Sequence, residues 1–139
     1  MDRLEALYRQ HAPALLRFAW SLCGDRSTAE DIVAETFARV LARAPRLETT
    51  TALGYLLAVA RNVFLTGLRR RRREVPLSDA LAAGDLVATA PDPDGRLDDR
   101  ASLEAVTRAL RDLPEGERSA LLLRVDHELP YEDVAAALG

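Results

Sequence analysis

The chain has 139 residues and a formal net charge of −3 at pH 7, and 48% of its residues are hydrophobic but only 5% are aromatic. This length suits one compact domain or two small ones, and the excess of alanine and leucine favours helices over strands. Cys23 is the only cysteine, so an internal disulfide and a cysteine-based zinc cluster are excluded. No signal peptide is recognisable and the longest apolar run, at 52–60, is too short to cross a bilayer, so we expect a soluble cytoplasmic protein without membrane insertion.

Two amphipathic helices are predicted before residue 45. The first has residues at helical spacing on one face: Leu4, Leu7, His11, Leu15, Phe18 and Leu22. Pro13 falls inside this pattern and predicts a kink or a break. The second helix is predicted to begin at the sequence STAE at 27–30, which matches a capping box, and to end before Pro45. Three charged residues lie outside its apolar stripe: Asp31, Glu35 and Arg39.

A third helix is predicted at 52–73, after a polar loop at 46–51 whose threonines are suitable helix caps. Five consecutive arginines end it: Arg69, Arg70, Arg71, Arg72 and Arg73. No acidic residue occurs between Arg61 and Arg73, so this helix concentrates positive charge in an acidic chain. Cations at a helix C-terminus also complement the helix dipole, but one or two would suffice for that. Five arginines therefore predict a surface that binds the phosphates of a nucleic acid.

The same helix carries residues suited to contact unpaired bases. Tyr55, Asn62 and Thr66 are separated by about two turns and then one, so with Arg61 they lie on or beside one strip. An aromatic ring together with amide and guanidinium donors is the combination that recognises single-stranded bases. Core packing is an equally good explanation of Tyr55, and a solvated helix position is the alternative for Asn62.

The segment at 74–100 is predicted to be a flexible acidic linker, because helical periodicity fades there and Pro, Gly and Asp are frequent. Helical spacing returns with Leu103, Val106, Leu110, Leu113, Leu121, Leu122 and Val125. A last helix is predicted from Pro130, with Gly139 as its C-terminal cap. No strand pattern occurs. We therefore predict an all-α fold of two small helical domains, at 1–73 and 101–139, joined by this linker.

No catalytic or metal-binding set can be assembled from the sequence. The two histidines, His11 and His127, have no nucleophile or second metal ligand near them along the chain. The glycines are isolated rather than grouped in a phosphate-binding loop. We therefore expect no catalytic residue, no metal and no cofactor, and an enzyme is the least favoured class.

Four segments in order carry a more specific resemblance. The sequences AEDIVAETF at 29–37 and YLLAVARN at 55–62, followed by the arginines, resemble the second region of bacterial extracytoplasmic-function (ECF) sigma factors of RNA polymerase. The sequences LRDLPEGERSALLLR at 110–124 and LPYEDVAAALG at 129–139 resemble the start of their fourth region. The resemblance covers nearly the whole chain apart from the linker. It implies promoter recognition and melting of the −10 element in transcription initiation.

The resemblance also implies partners and contact residues. In this family the helix matching 29–43 docks on the β′ clamp helices of the polymerase core. Asp31, Glu35 and Arg39 are therefore expected polymerase contacts. The β flap of the polymerase is a second expected contact. The loop at 46–51 and the helix after it hold the melted −10 non-template strand with a flipped base, at a cost in stacking and pairing energy. The implied DNA contacts are Arg46, Thr50, Tyr55, Arg61, Asn62 and the five arginines. An anti-sigma factor is a further expected partner.

The chain departs from the family pattern at three positions and at its end. The family usually has glutamine, tryptophan and aspartate where Ala34, Tyr55 and Thr66 stand; Ala34 weakens the expectation of one polymerase contact, whereas Tyr55 can still stack. A recognition helix for the −35 element, which in the family follows the position of Gly139, is absent. A truncated chain, an incomplete sequence and a natural variant are the three explanations. Truncation is favoured because Val134 and Leu138 would otherwise lack their usual cover.

Two other functions stay open. A sigma-like interaction module would bind polymerase or an anti-sigma factor without reading promoter DNA, and its binding would survive neutralisation of the arginines. A helical enzyme is a distant third and would require catalytic turnover of some substrate.

Overall fold

The computed structural model describes residues 3–42, 49–74 and 97–139, and every regular element in these ranges is helical. The helices are α1 (Arg3–Cys23), α2 (Arg26–Ala42), α3 (Ala52–Glu74), α4 (Leu97–Asp112), α5 (Glu115–Leu121) and α6 (Tyr131–Leu138). A π-helical segment, Leu122–Asp126, continues α5. The all-α prediction is therefore confirmed. The expectations for Arg46 and for most of the linker lie outside the described residues.

Helix α3 lies at the centre of the structure. Helices α1 and α2 pack against it and against each other, and α6 packs on another side of it. Five consecutive residues of α3, at 56–60, are consequently at most 2% exposed. Burial all around its circumference is typical of a helix inside a core rather than of a surface helix with one apolar stripe. The buried residues of the N-terminal and C-terminal halves thus form one continuous hydrophobic core.

Helix α1 runs without interruption through Pro13, so the predicted break is wrong. A proline inside a helix costs about 3 kcal/mol, because it removes one backbone hydrogen bond and its ring crowds the preceding turn. Leu15, Phe18 and Leu22 follow on the buried face. Full burial of each such side chain contributes about 1.5–3 kcal/mol, so packing outweighs the local cost.

Helix α2 begins earlier than the capping box predicted. The carboxylate of Asp25 accepts hydrogen bonds from the backbone N–H of Thr28 at 2.9 Å and from its hydroxyl at 2.6 Å. These bonds lower the pKa of Asp25. Asp25 is therefore the cap and α2 starts at Arg26. Aspartate is as good an N-cap as serine, and its charge also complements the helix dipole.

The predicted bounds of α3 are correct to within one residue at each end. Its cap is Thr51, whose hydroxyl oxygen accepts a hydrogen bond from the backbone N–H of Gly54 at 3.0 Å. In the C-terminal half, α4 begins at Leu97, inside the segment predicted as linker. Pro130 caps α6 at its N-terminus and Gly139, with φ of 90°, caps it at its C-terminus.

The expectation that the last helix lacks cover is wrong. Val134 is only 8% exposed and belongs to the continuous core, because α6 packs on α3. Leu138 is half-buried against the same core. The cover comes from the N-terminal half of the chain, a contact between residues about 80 positions apart that no local pattern reveals.

Candidate nucleic-acid interface

One side of α3 carries several of the residues predicted to contact DNA; it is covered between residues 56 and 60 and exposed from Asn62 onwards. Tyr55, Asn62, Thr66, Arg69 and Arg73 recur at intervals of seven, four, three and four residues, which keeps them within about 40° of one line on a helix of 3.6 residues per turn. Tyr55 is half-buried and the other four side chains are exposed. Burial raises the pKa of the Tyr55 hydroxyl. We call this set the exposed strip of α3.

Exposed guanidinium groups surround the C-terminal end of the strip. Arg69, Arg70, Arg71 and Arg73 are all exposed, and the side chain of Arg72 lies outside the described part. Arg71 donates a hydrogen bond to the hydroxyl of Thr28 on α2 at 3.1 Å. The predicted cluster of cations is thus present at one end of the helix, with Arg71 turned towards α2.

Arg61 is not on the exposed strip, and its predicted contact with DNA does not agree with the structure. It is 8% exposed and bonds to both carboxylate oxygens of Glu115, each at 2.8 Å, and to the carbonyl oxygen of Ala137 at 3.0 Å. Consecutive residues of a helix are separated by about 100°, so Arg61 faces the C-terminal half although Asn62 faces solvent. A guanidinium committed to a bidentate carboxylate is not available to a phosphate.

Thr50, another predicted DNA contact, is bonded to a carboxylate from the C-terminal half. Asp133 of α6 accepts hydrogen bonds from the backbone N–H and hydroxyl of Thr50 at 2.6 and 2.9 Å. It accepts the same two bonds from Thr51 at 3.2 and 2.6 Å. Asp133 is fully buried. Burial alone would raise its pKa, but the bonds from Thr50 and Thr51 outweigh burial and lower it, so the carboxylate is held in its charged form.

Sequence reasoning missed the residues that join the two halves. Glu115 and Asp133 carry no sequence signal of these contacts, because acids near helix starts are explained by the helix dipole without further partners. Gly54 lies inside a predicted helix, where glycine costs about 1 kcal/mol relative to alanine. A Cβ at Gly54 would collide with the Asp133 carboxylate, so glycine here allows α6 to approach α3. The one available clue was that a helix interior tolerates glycine poorly without a packing reason.

The predicted polymerase contacts lie on α2, away from α6. Asp31 and Glu35 are exposed and Arg39 is half-buried, at intervals of four residues on one side of the helix. Arg39 forms an ion pair with Glu35 at 3.2 Å. Two acidic groups and one basic group therefore line this surface, which suits a partner of mixed charge.

Neither a metal site nor a membrane span is found in the part of the chain that the structure describes. No group of three or more His, Cys, Asp or Glu side chains there could hold a metal ion. No described helix is both long and apolar enough to cross a membrane. His127 is buried edge-on against Phe18, with ring centroids 5.7 Å apart, and has a packing role.

Comparison with known proteins agrees with this arrangement. The family model of Sigma-70 region 2 matches residues 7–74 and that of Sigma-70 region 4 matches residues 103–139. The ECF RNA polymerase sigma factor EcfG of Rhodopseudomonas palustris is 36% identical over 91% of this chain and 68% of its own length. SigE of Mycolicibacterium smegmatis is 34% identical over 100% of this chain and 54% of its own length. SigM of Bacillus subtilis is 27% identical over 95% and 79%.

A solved structure is similar over the whole fold. The sigma factor RpoE of Bartonella quintana, determined in complex with the anti-sigma factor NepR, superposes with a TM-score of 0.74 at 28% identity. The match covers 99% of this chain and 83% of that one. The two regions, in this order on an all-helical fold, define a sigma-type initiation factor. The chain belongs to the ECF family of RNA polymerase sigma factors, which act in transcription initiation and are not enzymes. The predicted resemblance is confirmed.

Proposed function

We propose that this sigma factor holds the unwound −10 non-template strand of a promoter along the exposed strip of α3. The observation that carries the proposal is the alignment of a ring, an amide and two guanidiniums on one side of α3, where Tyr55 is half-buried and Asn62, Arg69 and Arg73 are exposed. The strip is about 27 Å long at 1.5 Å per residue, which matches roughly eight stacked nucleotides at 3.4 Å each.

Each part of the strip has a chemical role in this proposal. The Tyr55 ring stacks on an unpaired base, and the Asn62 amide donates to and accepts from a base edge. Arg69 and Arg73 contact phosphates, with the neighbouring arginines and Arg46 on the adjoining strand or duplex. Thr50 adds donors at the start of the helix. Residues 1–73 are thus the proposed promoter-binding region and 101–139 the proposed second region. The linker proposed at 74–100 is shorter at both ends, because α3 includes Glu74 and α4 begins at Leu97.

The polymerase core is the proposed protein partner in the cytoplasm. We assign the exposed side of α2 around Asp31, Glu35 and Arg39 to the β′ clamp helices, and residues 101–139 to the β flap. The ion pair between Arg39 and Glu35 is exposed enough to exchange for partner charges at little cost, because such pairs contribute only about 0.3–0.5 kcal/mol.

An anti-sigma factor is the further proposed partner, as NepR is for the RpoE of Bartonella quintana. An apolar groove of about 580 Å³ between α1, α4 and the π-helical segment supports this proposal. Val106 and Val125 both line it and are 55% and 66% exposed, and an exposed apolar patch is typical of an interaction surface. A photo-crosslinker at Val125 should attach to the anti-sigma factor in cells, and one at the exposed Ala38 of α2 should not.

The salt dependence of DNA binding tests the exposed strip. The double variant Arg69→Ala/Arg73→Ala, assembled with core polymerase, should bind labelled −10 single strands with a salt slope smaller by about 1.4, or about 0.7 per lost phosphate contact. The matched control is Arg9→Ala/Arg108→Ala, which removes two arginines from exposed ion pairs on α1 and α4. An unchanged salt slope in Arg69→Ala/Arg73→Ala would show that these arginines do not contact the DNA phosphates.

Base recognition is separable from phosphate contact by the same assay. Asn62→Ala should change which −10 sequence is preferred and leave the salt slope as it is, because its amide faces a base. Equal loss of affinity for all sequences would contradict this role.

A second candidate function is a sigma-like module that binds polymerase or an anti-sigma factor without reading DNA. One observation favours it: Thr50 and Arg61, two expected DNA contacts, are both bonded to the C-terminal half. This second function predicts that the chain binds core polymerase tightly. It also predicts that removing Arg69 and Arg73 does not change the affinity for −10 single strands.

A further inference from the structure

The C-terminal end of α3, at 68–74, carries the arginines but has little support from the core. Leu68 is the last residue of this helix that packs against the core, and the described arginine side chains after it are exposed. A helix in a protein owes most of its stability to the packing of its apolar face, so an unpacked end frays. Gly67, just before this end, adds a position of low helix propensity. The placement of the arginines therefore depends on what else holds the end.

Within the described part of the chain, one side-chain hydrogen bond connects this end to another helix. Arg71 Nη2 donates to Thr28 Oγ1 at 3.1 Å, and the same hydroxyl donates to the Asp25 carboxylate at 2.6 Å. A hydroxyl is one donor and an acceptor, so Thr28 serves both neighbours at once. The bonds from Thr28 are the main reason that the pKa of Asp25 is lowered, and the charge of Arg71 contributes to it. Three side chains thus join the start of α2 to the end of α3.

Arg71 lies on the opposite side of α3 from the exposed strip. It is two positions from Arg69 and from Arg73, which corresponds to about 160° around a helix of 3.6 residues per turn. Its bond to Thr28 therefore holds the helix end from behind and leaves the strip unoccupied. A contact on this side fixes the rotation of the last turns about the helix axis, and with it the direction in which Arg69 and Arg73 point.

We propose that Thr28 is a positioning residue for promoter binding and that it acts through Arg71. It keeps Arg69 and Arg73 on the line of the exposed strip. The inference rests on the proposed function, in which those two arginines contact phosphates of the −10 strand. Groups that are ordered before binding hold a ligand more tightly than the same groups on a frayed segment, because binding does not have to order them. Thr28 itself contacts no DNA.

The test removes the Thr28 hydroxyl in the full chain assembled with core polymerase and measures binding of labelled −10 single strands. Thr28→Val keeps the size of the side chain and should bind about threefold more weakly than the parent, roughly the effect of one exposed hydrogen bond. Thr28→Ser keeps the hydroxyl and should bind within about 1.5-fold of the parent. The salt slope of Thr28→Val should equal that of the parent, because the phosphate contacts are the same in number. Ser27→Ala, at the exposed neighbouring position, is the matched control and should bind as the parent does.

Two further variants show whether Thr28 acts by positioning. In a chain that already carries Arg71→Ala, Thr28→Val should weaken binding no further, because the bond is already lost. Gly67→Ala meets open space and stiffens the helix, so it should restore most of the affinity that Thr28→Val loses. Thr28→Ala replaces Thr28→Val if the latter does not fold. The proposal is overturned if Thr28→Val binds as tightly as the parent, if it weakens binding equally without Arg71, or if Gly67→Ala restores nothing.

Failure of the proposed function would look different. If Arg69→Ala/Arg73→Ala changes neither the affinity nor the salt slope, DNA does not use the exposed strip, and the positioning role of Thr28 fails with the proposed function. If that double variant weakens binding as expected and Thr28→Val does not, the strip is correct and the role of Thr28 alone is wrong.

Discussion

The two sides of α3 use the same side-chain chemistry for opposite purposes. On the exposed strip, Arg69 and Arg73 stand in solvent, whereas on the side facing α6 the guanidinium of Arg61 is enclosed by Glu115 and a backbone carbonyl. A solvated guanidinium is available to a phosphate, and one bonded to both oxygens of a carboxylate is a structural link. The comparison separates the guanidiniums proposed to bind DNA, which lie at the exposed end of the helix, from the one that is buried in its packed middle.

Removing Arg61 should produce the largest loss of stability. Arg61→Ala leaves the carboxylate of Glu115 in a mostly buried contact without its cation and with the Ser119 hydroxyl as its remaining side-chain donor, and we expect the free energy of unfolding to fall by about 3 kcal/mol. Arg73→Ala, a matched removal from the exposed strip, should change it by at most about 0.5 kcal/mol. Urea denaturation of both variants measures the difference. Equal midpoints would mean that Arg61 contributes no more than a surface charge.

A conservative change sharpens this prediction. Arg61→Lys keeps the charge but cannot donate to both carboxylate oxygens in parallel, so it should recover only part of the lost stability. Full recovery would show that charge alone, without the bidentate geometry, holds α5 against α3.

Local signals predicted α3 well and its surroundings poorly. The bounds of α3 and the exposed strip follow from spacing and from a threonine cap, all of which lie within one stretch of sequence. The start of α2 was misassigned because Asp25 and Ser27 are both acceptable caps, and only the three-dimensional contact with Thr28 decides between them. The hydrogen bonds donated by Thr50 to Asp133 and by Arg61 to Glu115 join residues 83 and 54 positions apart. No periodicity encodes such pairs.

The two glycines of α3 should respond in opposite directions to the same substitution. Gly54→Ala places a methyl group against the Asp133 carboxylate, which four hydrogen bonds prevent from moving aside, and we expect a loss of about 1–3 kcal/mol. Gly67→Ala meets open space and should raise stability by about 0.5–1 kcal/mol through helix propensity. Thermal or urea unfolding of the pair measures both. A loss of similar size at Gly67 would indicate a general sensitivity of α3 to substitution.

Acidification should affect the packed side of the molecule, where the pKa values of His127, Asp133 and Glu115 are shifted. Burial lowers the pKa of His127 from its ordinary value of 6.5, Asp126 partly counteracts this, and Arg17 adds to it. Below pH 6.5 the unfolded chain therefore takes up a proton that the folded chain resists, so stability should fall, by at most about 1.4 kcal/mol per pH unit for one group. Asp133 and Glu115 have lowered pKa values and lose their contribution to stability only well below this window, under their ordinary pKa values of 3.8 and 4.5.

Urea midpoints at pH 7.5, 6.5 and 5.5 (conditions chosen to span roughly the ordinary histidine range) measure the effect. His127→Gln should flatten the profile, and a profile unchanged by His127→Gln would assign the acid sensitivity to another group.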